Sequence, residues 1–374
     1  MLLVASALSF LISIPSLLHG ECPQERRASL CKQLKTTRPA YQKKIYPPPL
    51  KKGDCIALVF PASWIPKTWV DACVENLEEQ GFCVRLAQNI LERWGFLAGS
   101  DSKRAKAFTD IWLEPDVNAV WCMAGGYGSG RIVESLDFNR LCQHPKIFIG
   151  MSDVTVLHSA FNNYGLVTFL GPLTFQLFSS KTHQEKKLFA KKSLFDLIQA
   201  TQSSFTWDFS DQEGVETMRE GSCRGEITGG NLSLIAAHVG TPWQLRTKDK
   251  ILVLEDVGEK TYRIDRMLIQ LKQAGIFDGL AGLILGTWTN CFPRTSSSRG
   301  DDLDLDAFLD DMFENAPYPI LKGAPIGHIP DQITLPLGCL AQLNTEEKTL
   351  ELLESPTAPH LPHKTPDFLY VLAP

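Results

Sequence analysis

The stretch KIFIGMSDVTVLHSAFNNYG at 146–165 decides the fold. It opens as a short apolar strand, turns sharply at Met151 and Ser152, and continues as a helix. The apolar positions Val154, Leu157 and Phe161 follow helical spacing, and Gly165 ends the run. A strand feeding directly into a helix is half of a βαβ unit, and the residues before it repeat the pattern. DCIALVFPAS at 54–63 reads as a strand and loop, TWVDACVENLEEQGF at 68–82 as a helix closed by Gly81, and CVRLAQN at 83–89 as a strand. SDSKRAKAFTDIWLEP at 100–115 reads as a helix capped by Ser100 or Asp101 and ending before Pro115. NAVWCM at 118–123 is a buried strand followed by the glycine-rich AGGYGSGR at 124–131. This alternation implies an α/β domain with a parallel sheet covered on both faces.

Beyond about Gly171 the pattern loosens. Residues 175–222 are polar, with a basic helix-like piece around 183–192 and a strand at Trp207, and read as a connecting segment. The second half mixes strands (ILVLEDV at 251–257, LAGLILGTW at 280–288) with helices (TYRIDRMLIQLKQAG at 261–275, DLDAFLDDMF at 304–313). Ile264, Met267, Leu268 and Leu271 form one apolar stripe. The expected organisation is an N-terminal α/β domain over 50–174, the connecting segment, a smaller β-rich α+β domain over 223–354, and a Pro-rich tail over 355–374.

The apolar run at 2–18 carries no charge, is short for a membrane span and contains Pro15. It reads as a secretory signal segment ending near residue 20, although the segment lacks Lys and Arg. Export to the periplasm or cell envelope is the expectation, with membrane contact only through 2–18 if that segment stays uncleaved. Residues 21–49 read as a linker ending in a proline run. The net charge of −5 disfavours nucleic acid as the main partner. Of ten cysteines, Cys55, Cys73, Cys83, Cys122 and Cys142 read as small buried hydrophobes, and Cys22 and Cys31 could form a bridge in an exported protein. No CxxC or HExxH occurs, and HLPH at 360–363 falls in the tail, so neither a metal nor another cofactor is expected.

Ser152, Glu255 and His328 stand in the chain order of a serine, an acid and a histidine. A serine hydroxyl needs a neutral imidazole to take its proton and a carboxylate to hold the imidazole. Each residue also has a simpler reading. Ser152 suits the N-cap of the following helix, with Asp153 as a first-turn acid. Glu255 and Asp256 end a strand, so they point to opposite faces. His328 sits in the Gly/Pro-rich loop IGHIPDQITLPLG at 326–338 and could be an ordinary surface histidine. AGGYGSGR lacks both GxGxxG spacing and GK[ST], so a nucleotide cradle is disfavoured. Its glycines could instead let backbone N–H groups approach a developing oxyanion.

The strings GDCIALVFPAS, LAGSDSKRAKAF, AGGYGSGRIVESLDF, PKIFIGMSDVTVLH, GGNLSLIAAHVGTPW, ILVLEDVGEKTYRIDRMLIQL and IGHIPDQITLPLG together resemble the LD-carboxypeptidase family of serine peptidases. That family includes muramoyl-tetrapeptide carboxypeptidases and microcin C immunity peptidases. The resemblance covers about 50–354. It implies a flavodoxin-like N-terminal domain, a β-rich C-terminal domain, and a site in the groove between them. It places the nucleophile on Ser152, the base on His328, the acid on Glu255, and the oxyanion donors on the backbone N–H groups of Asp153 and Gly126. It further implies a muropeptide substrate cut at an L–D bond before a C-terminal D-alanine, and a homodimer is expected. A microcin-type amide and a non-catalytic wall-binding module are the alternatives. Ala124 stands where many members have Arg, and Leu170 where many have His, so the substrate pocket is expected to differ at these two positions.

Overall fold

The computed structural model describes residues 43–179, 184–199, 205–291 and 304–358. They belong to one compact unit, Ala40–Pro374. The signal segment, the Cys22–Cys31 pair and the HLPH motif lie outside the described residues.

Among the described residues, fourteen strands form two sheets. The first holds β1 (Cys55–Val59), β2 (Cys83–Leu86), β3 (Val117–Cys122), β4 (Ile147–Gly150) and β5 (Thr168–Leu170), in the order β5-β4-β3-β1-β2. All of these pairs are parallel. This is the flavodoxin-like order, with its switch point between β1 and β3. Covered on both faces, the central strands are continuous apolar runs: Val120, Trp121, Ile147, Phe148 and Ile149 have no exposed surface. Phe108 and Trp112 of the helix Asp101–Trp112 pack with Phe148 and with Phe161 of the helix Thr155–Asn163, and the Trp112 and Phe161 rings lie 4.6 Å apart. Ser100 is the N-cap of the former helix, its hydroxyl accepting from the Lys103 amide at 3.4 Å.

The second sheet comprises β6 (Phe205–Asp208), β7 (Glu216–Arg219), β8 (Ser222–Asn231), β9 (Lys250–Val257), β10 (Gly282–Thr289), β11 (Ile320–Lys322), β13 (Leu340–Asn344) and β14 (Thr349–Leu352). Its order is β6-β14-β13-β8-β9-β10-β11-β7. β8 to β11 run parallel, and the outer strands are antiparallel. The helix Thr261–Gln273 covers it with Ile264, Leu268 and Leu271 fully buried and Met267 partly so. The molecule is therefore a two-domain α/β protein.

Two connections were not legible as such. Residues 175–222 carry β6 and β7, which are the two edge strands of the second sheet. The strand β12 (Leu335–Leu337), which follows His328, returns to the first sheet and pairs antiparallel with β5. The loop bearing His328 is thus strung between the two sheets.

Cys55, Cys73, Cys122 and Cys142 are buried, and burial raises the thiols of Cys73 and Cys142 to about 12. Cys83 departs from the buried reading. It is half-buried, and its Sγ meets that of Cys55, its partner across β1 and β2, at 2.9 Å.

Candidate active site

The first three site elements lie at the carboxyl ends of β1, β3 and β4. There the strand order reverses and an open α/β sheet leaves a crevice. β4 ends at Gly150, Met151 stays extended, and Ser152 turns into the left-handed region with φ +63°. That conformation is strained for a residue with a Cβ. A 3₁₀ turn, Ser152–Val154, then leads into the helix. The N-cap reading of Ser152 is therefore wrong: Ser152 lies inside the turn, and the turn has no side-chain cap. An N-cap needs extended backbone, and Ser152 has a left-handed φ instead.

Beneath the turn lies His158, with no exposed surface. Its Nε2 meets the Gly150 carbonyl at 2.9 Å and its Nδ1 meets Thr168 Oγ1 at 2.9 Å. A carbonyl can only accept, so Nε2 carries the proton and Nδ1 accepts from the hydroxyl. Burial lowers the histidine to about 4, against a smaller opposing effect of the Gly150 bond, and keeps it neutral.

The 124–131 loop packs directly on Ser152. A Cβ on Gly125 would stand 3.1 Å from Ser152 Cβ and 3.2 Å from its Oγ. Gly126 has φ +89°, and a Cβ there would collide with Ser63 Oγ. Ser63 links to the loop twice: its amide donates to Gly125 O at 3.2 Å, and its hydroxyl accepts from the Tyr127 amide at 3.3 Å. The Asp153 amide nitrogen is 3.5 Å from where Gly125 would carry its Cβ. The Asp153 carboxylate is 1% exposed and accepts from the Ser129 amide at 2.7 Å, fastening the loop to the serine turn.

Arg104 holds the same loop from behind and was missed in the sequence. It is 1% exposed and donates to Gly128 O at 2.8 Å, to Gly99 O at 3.3 Å, to Pro61 O and to Asp101. A buried guanidinium is tolerated only when its N–H groups are satisfied, and here they join three loops.

The other half of the site comes from β9 and the loop before β12. Glu255 and Asp256 are both buried, at 0% and 2% exposure. Neither is an exposed strand end. Asp256 accepts from Asn231 Nδ2 at 2.9 Å, from the Ser233 amide and hydroxyl at 2.9 and 2.8 Å, and from the Val257 amide at 2.8 Å. Its lone pairs are committed to the start of the helix Leu232–Ala237. Glu255 Oε2 instead accepts from His328 Nδ1 at 2.7 Å, and among the described residues its Oε1 has no hydrogen-bond partner. Gly327 makes room for this contact. Its φ is +128°, and a Cβ there would lie 2.9 Å from Glu255 Oε2.

His328 has a side chain 16% exposed. Burial works against its charge, but the Glu255 hydrogen bond and the charges of Glu255 and Asp256 outweigh burial and raise it above the ordinary histidine value. With Nδ1–H held by the carboxylate, Nε2 is the free nitrogen.

Asn231 joins the halves. It pairs with Glu255 across β8 and β9, and its amide donates to Thr155 Oγ1, three residues past Ser152, at 3.1 Å. A Cβ on the neighbouring Gly230 would meet the same oxygen at 2.7 Å. The structure thus joins His328 to Glu255, and Ser152 to Gly125 and Asp153, by direct approach. Among the described residues no hydrogen bond links Ser152 to His328. Such contacts are often open without substrate. Ala124 and Leu170 are 5% and 3% exposed, so they offer a ligand almost no surface, contrary to the expectation that they line the pocket.

Residues 56–171 match the LD-carboxypeptidase N-terminal domain and 224–343 match the LD-carboxypeptidase C-terminal domain. The chain belongs to the LD-carboxypeptidase family, and is a carboxypeptidase of that family. It is 38% identical over 304 residues to the "Probable murein peptide carboxypeptidase" of Bacillus subtilis (strain 168), covering 81% of this chain and 92% of that one. It is 24% identical over 333 residues to the Microcin C7 self-immunity protein MccF of Escherichia coli, covering 82% and 95%. The solved muramoyltetrapeptide carboxypeptidase of Oxalobacter formigenes superposes with a TM-score of 0.71 at 28% identity, covering 81% of this chain and all of that one.

Proposed function

We propose that this chain is a serine carboxypeptidase that removes the C-terminal D-alanine from murein tetrapeptide stems by cutting an L–D bond. Ser152 attacks the carbonyl of the residue preceding that alanine. His328 Nε2 takes the hydroxyl proton and returns it to the leaving amine, while Glu255 holds Nδ1–H and stabilises the imidazolium. The backbone N–H groups of Asp153 and Gly126 receive the oxyanion. Water then releases the acyl-enzyme. The observation that carries this reading is the contact between His328 Nδ1 and the fully buried Glu255. The murein substrate is supported by the 38% identical relative, against 24% for the microcin immunity protein. Export directed by residues 2–18 and a homodimeric state belong to the same proposal.

The test offers purified protein a tetrapeptide ending in D-alanine, its L-alanine epimer, its C-terminal amide and a D-alanyl-D-alanine pentapeptide. Inverting a stereocentre beside the scissile bond moves the carbonyl off its aim, and about 1 Å of misplacement costs on the order of 10²-fold. Alanine release from the tetrapeptide alone is expected. Equal release from the pentapeptide would defeat the L–D assignment.

A further inference from the structure

Three exposed aromatic rings stand beside the loop that carries Gly126. Trp94, Phe96 and Tyr127 keep 57%, 60% and 52% of their surface exposed. Phe96 and Tyr127 meet edge to face with centroids 5.6 Å apart, and Arg131 lies 5.7 Å over the Trp94 ring. Scattered exposed apolar residues need no explanation, but a contiguous exposed cluster marks an interaction site.

The backbone that carries these rings is held in place. Trp94 and Leu97 exchange two backbone hydrogen bonds of 2.9 and 3.0 Å, and Leu97 bridges to Ser63. Trp64 Nε1 donates to Gly95 O at 3.0 Å. Ser63 also carries the contacts to Gly125 and Tyr127, so the turn at 94–97 and the oxyanion loop are one rigid piece. A ring fixed before the ligand arrives loses little entropy on binding.

We propose that Trp94, Phe96 and Tyr127 form a sugar-stacking subsite for the amino sugar to which a murein stem is attached. The proposal rests on the carboxypeptidase reading above. A pyranose is amphipathic: its C–H face packs on an aromatic ring while its hydroxyls stay in water. Half-exposed rings suit such a ligand, whereas a fully aliphatic group gains most in an enclosed groove. The charge pattern agrees. Arg131 is already engaged by Asp101 at 2.8 and 2.9 Å, which leaves the ledge without a free charge from that residue and fits a neutral ring. The Arg93 guanidinium lies over Trp64, 3.8 Å from its centroid, and offers N–H donors to hydroxyls. The residue acylated on Ser152 is the third of the stem, and three extended residues span roughly 10 Å. Tyr127 follows Gly126 in the chain and meets Phe96, and Arg131 of the same loop lies over Trp94.

The experiment has two arms. In the first, an N-acetylglucosamine–N-acetylmuramic acid disaccharide without peptide is titrated while tryptophan fluorescence is followed. Saturable quenching is expected in the wild type and not in Trp94→Ala or Phe96→Ala. In the second, kcat/KM is measured on a disaccharide-linked and a free tetrapeptide. The wild type should prefer the linked substrate by roughly tenfold, what one aromatic contact supplies, and each variant should bring that ratio to about one-fold. No disaccharide binding together with a ratio that the variants leave unmoved would overturn the subsite. So would a Trp94→Ala protein that loses dimer mass in light scattering while keeping the preference, which would hand the ledge to a second copy of the chain. If the wild type cleaves neither peptide, the carboxypeptidase reading fails and the disaccharide titration alone decides the ledge.

Discussion

Replacing Glu255 with glutamine isolates the charge on which the proposed proton relay depends. The carboxylate is fully buried and accepts from His328 Nδ1 at 2.7 Å. Glutamine has nearly the same shape, so the packing against Gly327 persists. What disappears is the attraction between a full negative charge and the imidazolium that forms as Ser152 attacks. Unit charges about 4 Å apart interact by about 4 kcal/mol at an effective dielectric near 20. At about 1.4 kcal/mol per decade, that is a loss of roughly 10³-fold in kcat/KM. The pH profile gives a second reading. Burial alone depresses His328, and Glu255 supplies the hydrogen bond and most of the charge that raise it. Without that charge the histidine protonates at lower pH, so the acid limb of kcat/KM, which reports the free enzyme, shifts downward. The assay is alanine release from a tetrapeptide across the pH range of that limb. A Glu255→Gln protein within a factor of about ten of wild type, with its acid limb unmoved, refutes the reasoning. Asp256→Asn is the control. Its carboxylate is committed to Asn231, Ser233 and Val257, so it should lower Tm more than it lowers turnover.

Gly125→Ala places a Cβ 3.1 Å from Ser152 Cβ without backbone strain, and should cost on the order of 10²-fold in kcat with Tm nearly held; unchanged kcat would mean the loop does not position the serine. His158, at about 4 in the folded chain against 6.5 unfolded, contributes stability that is fully present above the unfolded value and is lost as pH falls toward the folded one. The loss amounts to about 3 kcal/mol, and denaturant melts at successive pH values should show it in the wild type and not in His158→Gln. Gly327→Ala meets both a φ of +128° and Glu255 Oε2 at 2.9 Å, so both Tm and activity should fall; a protein unaffected in either would contradict the close approach described here. Fractionation of a tagged full-length chain with N-terminal sequencing checks export, and an intact Met1 in the soluble cytoplasmic fraction would contradict it.

The parts legible in the sequence are those written in local pattern. The apolar run of Ile147–Ile149 feeding the helix at Thr155 announced a parallel sheet, and β5-β4-β3-β1-β2 is the order that the resemblance implied. The parts that were not legible depend on partners distant in the chain. The left-handed φ of Ser152 is set by packing, not by its neighbours, so local chemistry suggested a cap. Arg104 stands among Ser102, Lys103 and Lys106 in the chain, yet its guanidinium is consumed by carbonyls of Pro61, Gly99 and Gly128. Asn231 sits in GGNLSL, where glycines hint at close approach, but its contact with Thr155 requires the two domains to be assembled. β12 is too short, at Leu335–Leu337, to show which sheet it joins.

The central claim is that Ser152 is the nucleophile. Its most direct test is the turnover of a Ser152→Ala protein on the tetrapeptide, measured by mass detection of released alanine beside its melting temperature. A loss of about 10⁴-fold or more in kcat with Tm held near the wild-type value is the expected result. Alanine release at the wild-type rate from that protein would contradict the account.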